Sequence, residues 1–359
     1  MDRIMGNQYE PDSVSPPGET LLETIQTLGI SQADLATRIG KTPQTVNRII
    51  GAGEPISPDT AIALERALGV PASFWINRQR IYDEFHARLY ERERLQKHIA
   101  WVERFPYRTM AQYGWVPATS QKFDRLGNLL NFFGIASPDA WDNFQSQIQA
   151  SYRRSSRLTP DINSLAAWLR QGEILGRMFA CKKYDHDRFE RSLESVRALT
   201  RSMPDDFVSQ LRDICSECGV AVVFVRELPK TASGATRWLS PDKGLLQLSL
   251  RYKTDDHLWF TFFHEAAHIL LHRKKGIFIE NTGATGREEE DANRFATEKL
   301  IPASAWHHFP SESRVKKASI EHFAERFGIA SGIVVGQLQY KKRIPPSHFN
   351  HLKRTLRWE

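Results

Sequence analysis

Cysteine is scarce in this chain: three residues in 359, at Cys181, Cys215 and Cys218. Three thiols cannot staple a protein of this size. That excludes the disulfide-built secreted scaffolds and makes a reducing cytoplasm the expected compartment. Cys215 and Cys218 have the CxxC spacing, but there is no second pair and Gly219 follows at once. They read as the end of a helix entering a strand, not as a metal or redox motif. Long apolar runs are missing too. The stretch Gly219–Val225 falls far short of the ~20 residues of a spanning helix, and the first seven residues lack the apolar centre of a signal peptide. No membrane contact is expected. There is no internal repeat and no low-complexity tract. What is left, 41% hydrophobic and 25% charged residues, is the composition of globular domains, and the length implies two or three of them.

Positive charge is absent where it would be most telling. The chain carries +7 overall, yet Leu21–Asn77 holds four Lys/Arg against five acids, while Ser311–Glu359 holds ten against four. A nucleic-acid role for the N-terminal part must therefore rest on its pattern and not on its field.

That pattern is specific. Residues 1–16 are polar and proline-containing, a disordered lead-in by composition. Residues 17–77 read as five short helices. Ser31 is placed as the N-cap of a helix whose Leu35, Ala36 and Ile39 share one face. Gly40 permits the left-handed turn that ends it. Thr42 caps the next helix and Pro43 takes its first position, where a missing N–H costs nothing. In that second helix Val46, Ile49 and Ile50 point inward, and Gln44, Thr45, Asn47 and Arg48 point out, all types suited to base edges or phosphates. Ile62, Leu64, Leu68 and Phe74 are expected to complete the core. The run Leu28-Gly29-Ile30-Ser31-Gln32-Ala33-Asp34-Leu35-Ala36, with Thr42–Ile49 and Ala72–Asn77, resembles the HigA-like antitoxin helix-turn-helix within the wider XRE group. The resemblance implies operator binding as a homodimer, with the second helix in the major groove of double-stranded DNA.

Residues 78–217 keep helical spacing and carry no catalytic motif. The first of these helices, Arg78 to about His98, places Ile81, Phe85, Leu89 and Leu95 on a stripe. Breaks fall at Gly114–Pro117, Ile135–Pro138 and Thr159-Pro160. The pattern then changes. Val220–Val225 is a β-branched run and Leu246–Leu250 alternates apolar and polar residues, so both read as strands. Trp259–His272 returns to helix, a Gly-containing loop spans 275–286, and a helix from about Arg287 to Leu300 is stopped by Pro302.

The chemistry lies in these last two helices. His264-Glu265-Ala266-Ala267-His268 is an HExxH sequence, which on a helix sets two imidazoles one turn apart on one face, within reach of a single tetrahedral Zn²⁺. Glu265 then stands near the open fourth position, where it can take a proton from the attacking water and pass it to the leaving amine. A third ligand should come from Glu288, Glu289 or Glu290. Ala292, Phe295, Ala296 and Leu300 define the packed face of their helix. Periodicity favours Glu289, then Glu288, and leaves Glu290 on the solvent side; the two acids not used complement the helix dipole.

Thr261–His272, Glu289-Glu290-Asp291-Ala292-Asn293-Arg294-Phe295-Ala296 and Leu300-Ile301-Pro302 resemble the ImmA/IrrE family of zinc metallopeptidases across about Val220–Pro302. The resemblance implies one zinc per chain held by His264, His268 and Glu289, with Asn293 steadying a ligand histidine. Ala266-Ala267 departs from the bulkier residue–glycine pair common in that family, a small apolar change that touches neither ligand. His272 continues the histidine face and is read as a support, because a catalytic zinc keeps one position for water. His257 and Arg237 are near in sequence and are candidates to steady an oxyanion, with nothing to rank them. By analogy, Leu246–Leu250 is a candidate edge strand for an extended substrate. In the C-terminal region Ile320–Ile329 and Gly332–Leu338 repeat a helix–Gly–helix grammar, either as a second nucleic-acid contact or as a packing pair.

The expected fold class is therefore an α+β multidomain chain: an N-terminal all-α helix-turn-helix (17–77), a helical middle or linker region (78–217), a zincin-like α+β peptidase core (218–310) and a basic helical C-terminal region (311–359). The expected function is that of a cytoplasmic DNA-binding regulator whose zinc endopeptidase site cleaves a partner repressor or antitoxin. The resemblance places such chains in mobile-element, stress or toxin–antitoxin-like loci. Two other readings stand beside it. One is a repressor or antitoxin whose peptidase fold is a sensor or binding platform; the other is a protease toxin restrained by a neighbouring protein.

Overall fold

The computed structural model describes residues 13–142, 161–272, 278–279, 286–309 and 315–358. Most of the polar lead-in, the Thr159-Pro160 break and most of the loop at 275–286 lie outside them. The chain divides into two compact units, residues 1–98 and 99–359.

In the first unit the helices are α1 (Pro17–Thr27), α2 (Gln32–Arg38), α3 (Pro43–Ile50), α4 (Pro58–Leu68) and α5 (Ala72–Gln96). The caps are where the residue types put them. Ser31 accepts a hydrogen bond from the Asp34 amide at 3.1 Å, Thr42 accepts one from the Thr45 amide at 3.2 Å, and Gly40 takes φ +65°. Leu21, Ile25, Leu35, Ala36, Val46, Ile49, Leu64 and Trp75 form the core.

Three expectations are corrected here. The fifth helix is not short, because α5 runs unbroken through residue 77 for 25 residues. Ile62 and Phe74 are exposed, and Ala61 and Trp75 fill the core in their place; one residue of helical phase, about 100°, separates these alternatives. The stripe on α5 is also largely uncovered. Leu95 is buried, but Ile81 and Leu89 stand in solvent.

The second unit is built around a mixed four-stranded sheet in the order β1-β3-β2-β4: β1 (Val220–Phe224), β2 (Gly234–Ser240), β3 (Lys243–Leu248) and β4 (Phe278–Ile279). β1 runs parallel to β3, and β2 runs antiparallel to both β3 and β4. Ahead of the sheet come α6 (Tyr107–Gln112), α7 (Lys122–Phe133), α8 (Ile162–Met178), α9 (His186–Ser202) and α10 (Phe207–Ser216). After β3 come α11 (Asp255–Leu271), α12 (Arg287–Leu300), α13 (Lys317–Phe327) and α14 (Ser331–Tyr340). Cys215 and Cys218 sit buried where α10 gives way to β1.

The sheet is covered on both faces, which explains why β2 escaped the sequence pattern and why β3 only seemed to alternate. On β2 and β3 the even-numbered residues face α11 and the odd-numbered ones face α8. Gln247 and Ser249, the polar members of the expected alternation, are both buried. Gln247 donates to the Trp168 carbonyl of α8 at 2.7 Å, and Gly172 of α8 leaves room for it. From residue 99 onward the middle region belongs to the same compact unit as the sheet. β3 is hydrogen-bonded on both sides, by β1 and β2, so it cannot serve as a substrate-pairing edge.

The C-terminal pair α13 and α14 buries Ile320, Phe323, Ala324, Ile333, Val334, Val335 and Leu338 in the same core as α11. Of the two readings of that pair, packing is the one observed. The segment after it crosses the start of α11. The Leu356 amide donates to the Lys253 carbonyl at 2.8 Å, and Lys353 pairs with Asp256 at 2.7 Å. Among the described residues no helix is long and apolar enough to cross a membrane.

Candidate metal centre

α11 is buried along nearly its whole length, from Asp255 to Leu270. A helix buried on most of its faces is a core helix; past the polar first turn, Asp255–His257, and Thr261, the polar side chains that interrupt it are His264, Glu265 and His268. His264 and His268 turn toward α12, while Glu265 turns toward β2. All three are almost fully buried.

The three glutamates at the start of α12 separate cleanly. Glu290 is exposed, Glu288 is half-buried and Glu289 is buried, its carboxylate directed at the two histidines. His264 Nε2 and His268 Nε2 lie 3.1 Å apart. The Glu289 carboxylate approaches His264 Nε2 at 3.2 Å and His268 Nε2 at 3.6 Å. Among the described residues this is the one His/Cys/Asp/Glu set able to hold a metal ion. Tetrahedral ligands at ordinary zinc distances stand about 3.3 Å from one another; the two histidine nitrogens and Glu289 Oε2 on His264 come near that value, and the 3.6 Å approach to His268 is made by the other carboxylate oxygen, Oε1.

The outer nitrogens fix which atoms face inward. His264 Nδ1 lies 3.1 Å from Asn293 Oδ1, an acceptor, so Nδ1 carries the proton and Nε2 presents its lone pair. His268 Nδ1 lies 3.1 Å from His272 Nδ1. For His268 to present a lone pair at Nε2, its Nδ1–H donates and His272 accepts. Two inward lone pairs at 3.1 Å repel in a buried site, and a cation between them removes that repulsion. The donor set therefore fits zinc. Burial, with His264 and His272 alongside, pushes His268 far below the usual imidazole range, so the ring stays in the neutral form that ligation requires.

The two candidates for an oxyanion partner are corrected. Arg237 lies on β2 with the odd-numbered residues, facing α8, and its guanidinium is 3.2 Å from Glu173. Glu173 is also paired with Arg170 and Arg177. Burial alone would raise Glu173, but the three arginines outweigh it and hold the carboxyl below its usual range. His257 stacks on Tyr252 with ring centroids 4.3 Å apart. It lies two turns before His264, and its rise from Glu265 is about 12 Å along the helix. Neither group reaches the reacting position.

Two residues that the sequence reading passed over do touch Glu265. Thr236 Oγ donates to the Glu265 carbonyl at 3.2 Å. Gly234 lies against its side chain: a Cβ there would come 2.8 Å from both Glu265 Cγ and Oε1. The available signal was a glycine inside a strand, which often marks close approach. Its strand went unrecognised.

In the first unit Gln44, Asn47 and Arg48 project from α3 into solvent, with Thr45 half-buried. Thr45 shares its hydroxyl with Thr42 at 3.1 Å, and Arg48 is 3.6 Å from Glu54.

Residues 215–338 match the peptidase family described as the IrrE N-terminal-like domain, and residues 21–75 match the helix-turn-helix family. The chain carries an IrrE-like metallopeptidase-type domain behind an XRE-type helix-turn-helix. The IrrE-like match runs through α13 and most of α14. A curated relative, virulence-associated protein I of Dichelobacter nodosus, is 37% identical over 68 residues; this is 19% of the present chain and 63% of that protein's length. Solved structures similar to the N-terminal part include a HigA-family antidote protein from Coxiella burnetii, at 30% identity over 23% of this chain and 91% of that one, TM-score 0.22. Another is the Pseudomonas aeruginosa antitoxin HigA, solved with the higBA promoter, at 32% identity over 24% and 94%, TM-score 0.23.

Proposed function

We propose that the chain is a DNA-binding regulator with zinc endopeptidase activity, and that it cleaves a partner repressor or antitoxin-like protein. One observation carries the peptidase part: His264, His268 and Glu289 converge to within zinc-ligand spacing while the buried Glu265 stands on the strand side of the same helix. Zinc in that position would polarise a peptide carbonyl and make a water acidic enough to attack it near neutral pH. The protein's own groups do the rest. Asn293 and His272 hold the two imidazoles in the ligating tautomer, and Glu289 offsets part of the ion's charge. Glu265 takes the proton from the attacking water at a carboxylate oxygen and returns it to the departing amine nitrogen.

The regulatory part rests on the exposed side chains of α3 and on the HigA likeness. The reading takes the DNA target to be a palindromic operator bound by a homodimer. The antitoxin reading without turnover is disfavoured by Glu265, since a binding platform has no use for a buried carboxylate beside a ligand pair.

The test co-expresses the regulator encoded beside this chain and follows its length with time. Wild type should shorten or deplete it. Glu265→Gln should leave it intact while keeping zinc, because general acid–base help is worth typically ~10²–10⁴-fold. Equal regulation of transcription by both proteins, with every candidate partner intact, rejects the peptidase reading.

A further inference from the structure

We infer that Gly234 and Thr236 of β2 are positioning residues that set where the Glu265 carboxylate stands beside the metal centre. This rests on the peptidase reading above.

Gly234 is not required by its backbone, since its φ lies outside the left-handed region. What it supplies is room. A Cβ at this position would lie 2.8 Å from Glu265 Cγ and Oε1 and 2.6 Å from Thr261 Cγ2. Such distances cannot be kept without moving one partner.

The strand cannot be the one to move. Gly234 is in register with Leu248 and Ala235 with Gln247. The Ser249 amide donates to the Ser233 carbonyl at 2.7 Å just before the strand. From the opposite face Arg237 is tied to Glu173, and Gln247 to the Trp168 carbonyl. The helix is equally confined, buried without a break from Thr261 to Leu270 and fastened to β2 by the Thr236 hydroxyl on the Glu265 carbonyl. Thr236 is itself buried and β-branched, so its hydroxyl has little freedom to turn elsewhere. The parts that must give way are the side chains of Thr261 and Glu265, and because Glu265 Cγ and Oε1 both stand at 2.8 Å the carboxylate has to shift whatever Thr261 does. A methyl group at 234 would swing the carboxylate off the strand and away from its present relation to His264 and His268. Thr236 fixes the backbone from which that side chain springs.

The probe is acetohydroxamic acid, which binds such a centre as its anion and hands its N–OH proton to the neighbouring glutamate. Its affinity is read from the visible absorption of the cobalt(II)-loaded full-length protein, so no peptide substrate is needed. Losing the charged acceptor in Glu265→Gln should weaken binding about tenfold to a hundredfold. Gly234→Ala should keep one cobalt per chain and fall by a comparable factor. The double variant Gly234→Ala/Glu265→Gln should be no weaker than Glu265→Gln alone, because both changes act on one group. Wild-type affinity in Gly234→Ala, or a full further loss in the double variant, overturns the inference. If Gly234→Ala does not fold, Thr236 decides: weaker binding in Thr236→Val with recovery in Thr236→Ser supports the inference, and an unchanged Thr236→Val rejects it. A wild-type protein that takes up no cobalt, or a Glu265→Gln variant that binds the probe normally, fails the peptidase reading itself and the inference with it.

Discussion

Asn293→Ala should weaken zinc binding without touching a ligand. The Asn293 side chain meets His264 Nδ1 at 3.1 Å and so holds the ring with its other nitrogen turned inward. Without that acceptor the ring loses both its orientation and its tautomer preference. A His264 protonated at Nε2 cannot ligate at all. Partners of this kind are typically worth 10–100-fold in metal affinity, which corresponds to about 1.4–2.7 kcal/mol. Stability should change less, because Asn293 is only half-buried and its helix is held by Ala292, Ala296 and Leu300. The assay is competition for zinc against a chromophoric chelator, with Asn293→Asp and Glu288→Ala as comparisons. Asn293→Asp keeps an acceptor at the same place and should restore most of the affinity. Glu288→Ala, one residue from Glu289 but outside the group it forms with His264 and His268, should bind nearly as wild type does. An unchanged affinity in Asn293→Ala, or an equal loss in Glu288→Ala, refutes the assignment of inward and outward nitrogens on His264.

Further outcomes follow from the same geometry. Glu289→Gln should lower zinc content measured by atomic absorption much more than Glu288→Gln or Glu290→Gln, since the Glu289 carboxylate lies 3.2 Å from His264 and 3.6 Å from His268; equal content in all three would reject the ligand choice. Asp255, buried beside Asp256 at the start of α11, has its carboxyl raised from 3.8 to about 6 by burial first and by its acidic neighbour second. A raised folded pKa means the stabilising form is the protonated one, so its contribution is full below about pH 4 and is lost as pH rises through 6. Chemical denaturation should therefore show wild type gaining stability relative to Asp255→Asn as pH falls from 7 to 4; a constant difference would show that Asp255 does not titrate in this window. In the first unit, Arg48→Ala and Gln44→Ala should each weaken binding to a matched operator by ~1–3 kcal/mol, with much less effect on random DNA. Equal loss on every sequence, read by fluorescence anisotropy, would make these residues phosphate contacts.

Much of this protein was legible from local rules. Helix caps at Ser31 and Thr42, the turn at Gly40 and the i, i+4 spacing of His264 and His268 depend on neighbours within one or two turns, so the residue order alone determined them. The same holds for Glu289, whose place on the packed stripe of its helix follows from Ala292 and Ala296. What only the tertiary structure decided are relations between distant segments. Which face of a strand a side chain takes depends on what lies on either side. Arg237 looked near the site in sequence, yet it points to α8 because β2 is covered on both faces. Leu246–Leu250 looked like an edge and is interior, because β2, a strand with no clean alternation, pairs outside it. Phe74 and Trp75 differ by a single step of helical phase, and only the cavity left by α1 to α4 selects Trp75. Gly234 is the sharpest case. A glycine in a strand hints at a close approach but not at what approaches, and its meaning arises because a helix beginning 21 residues later sets a carboxylate against it.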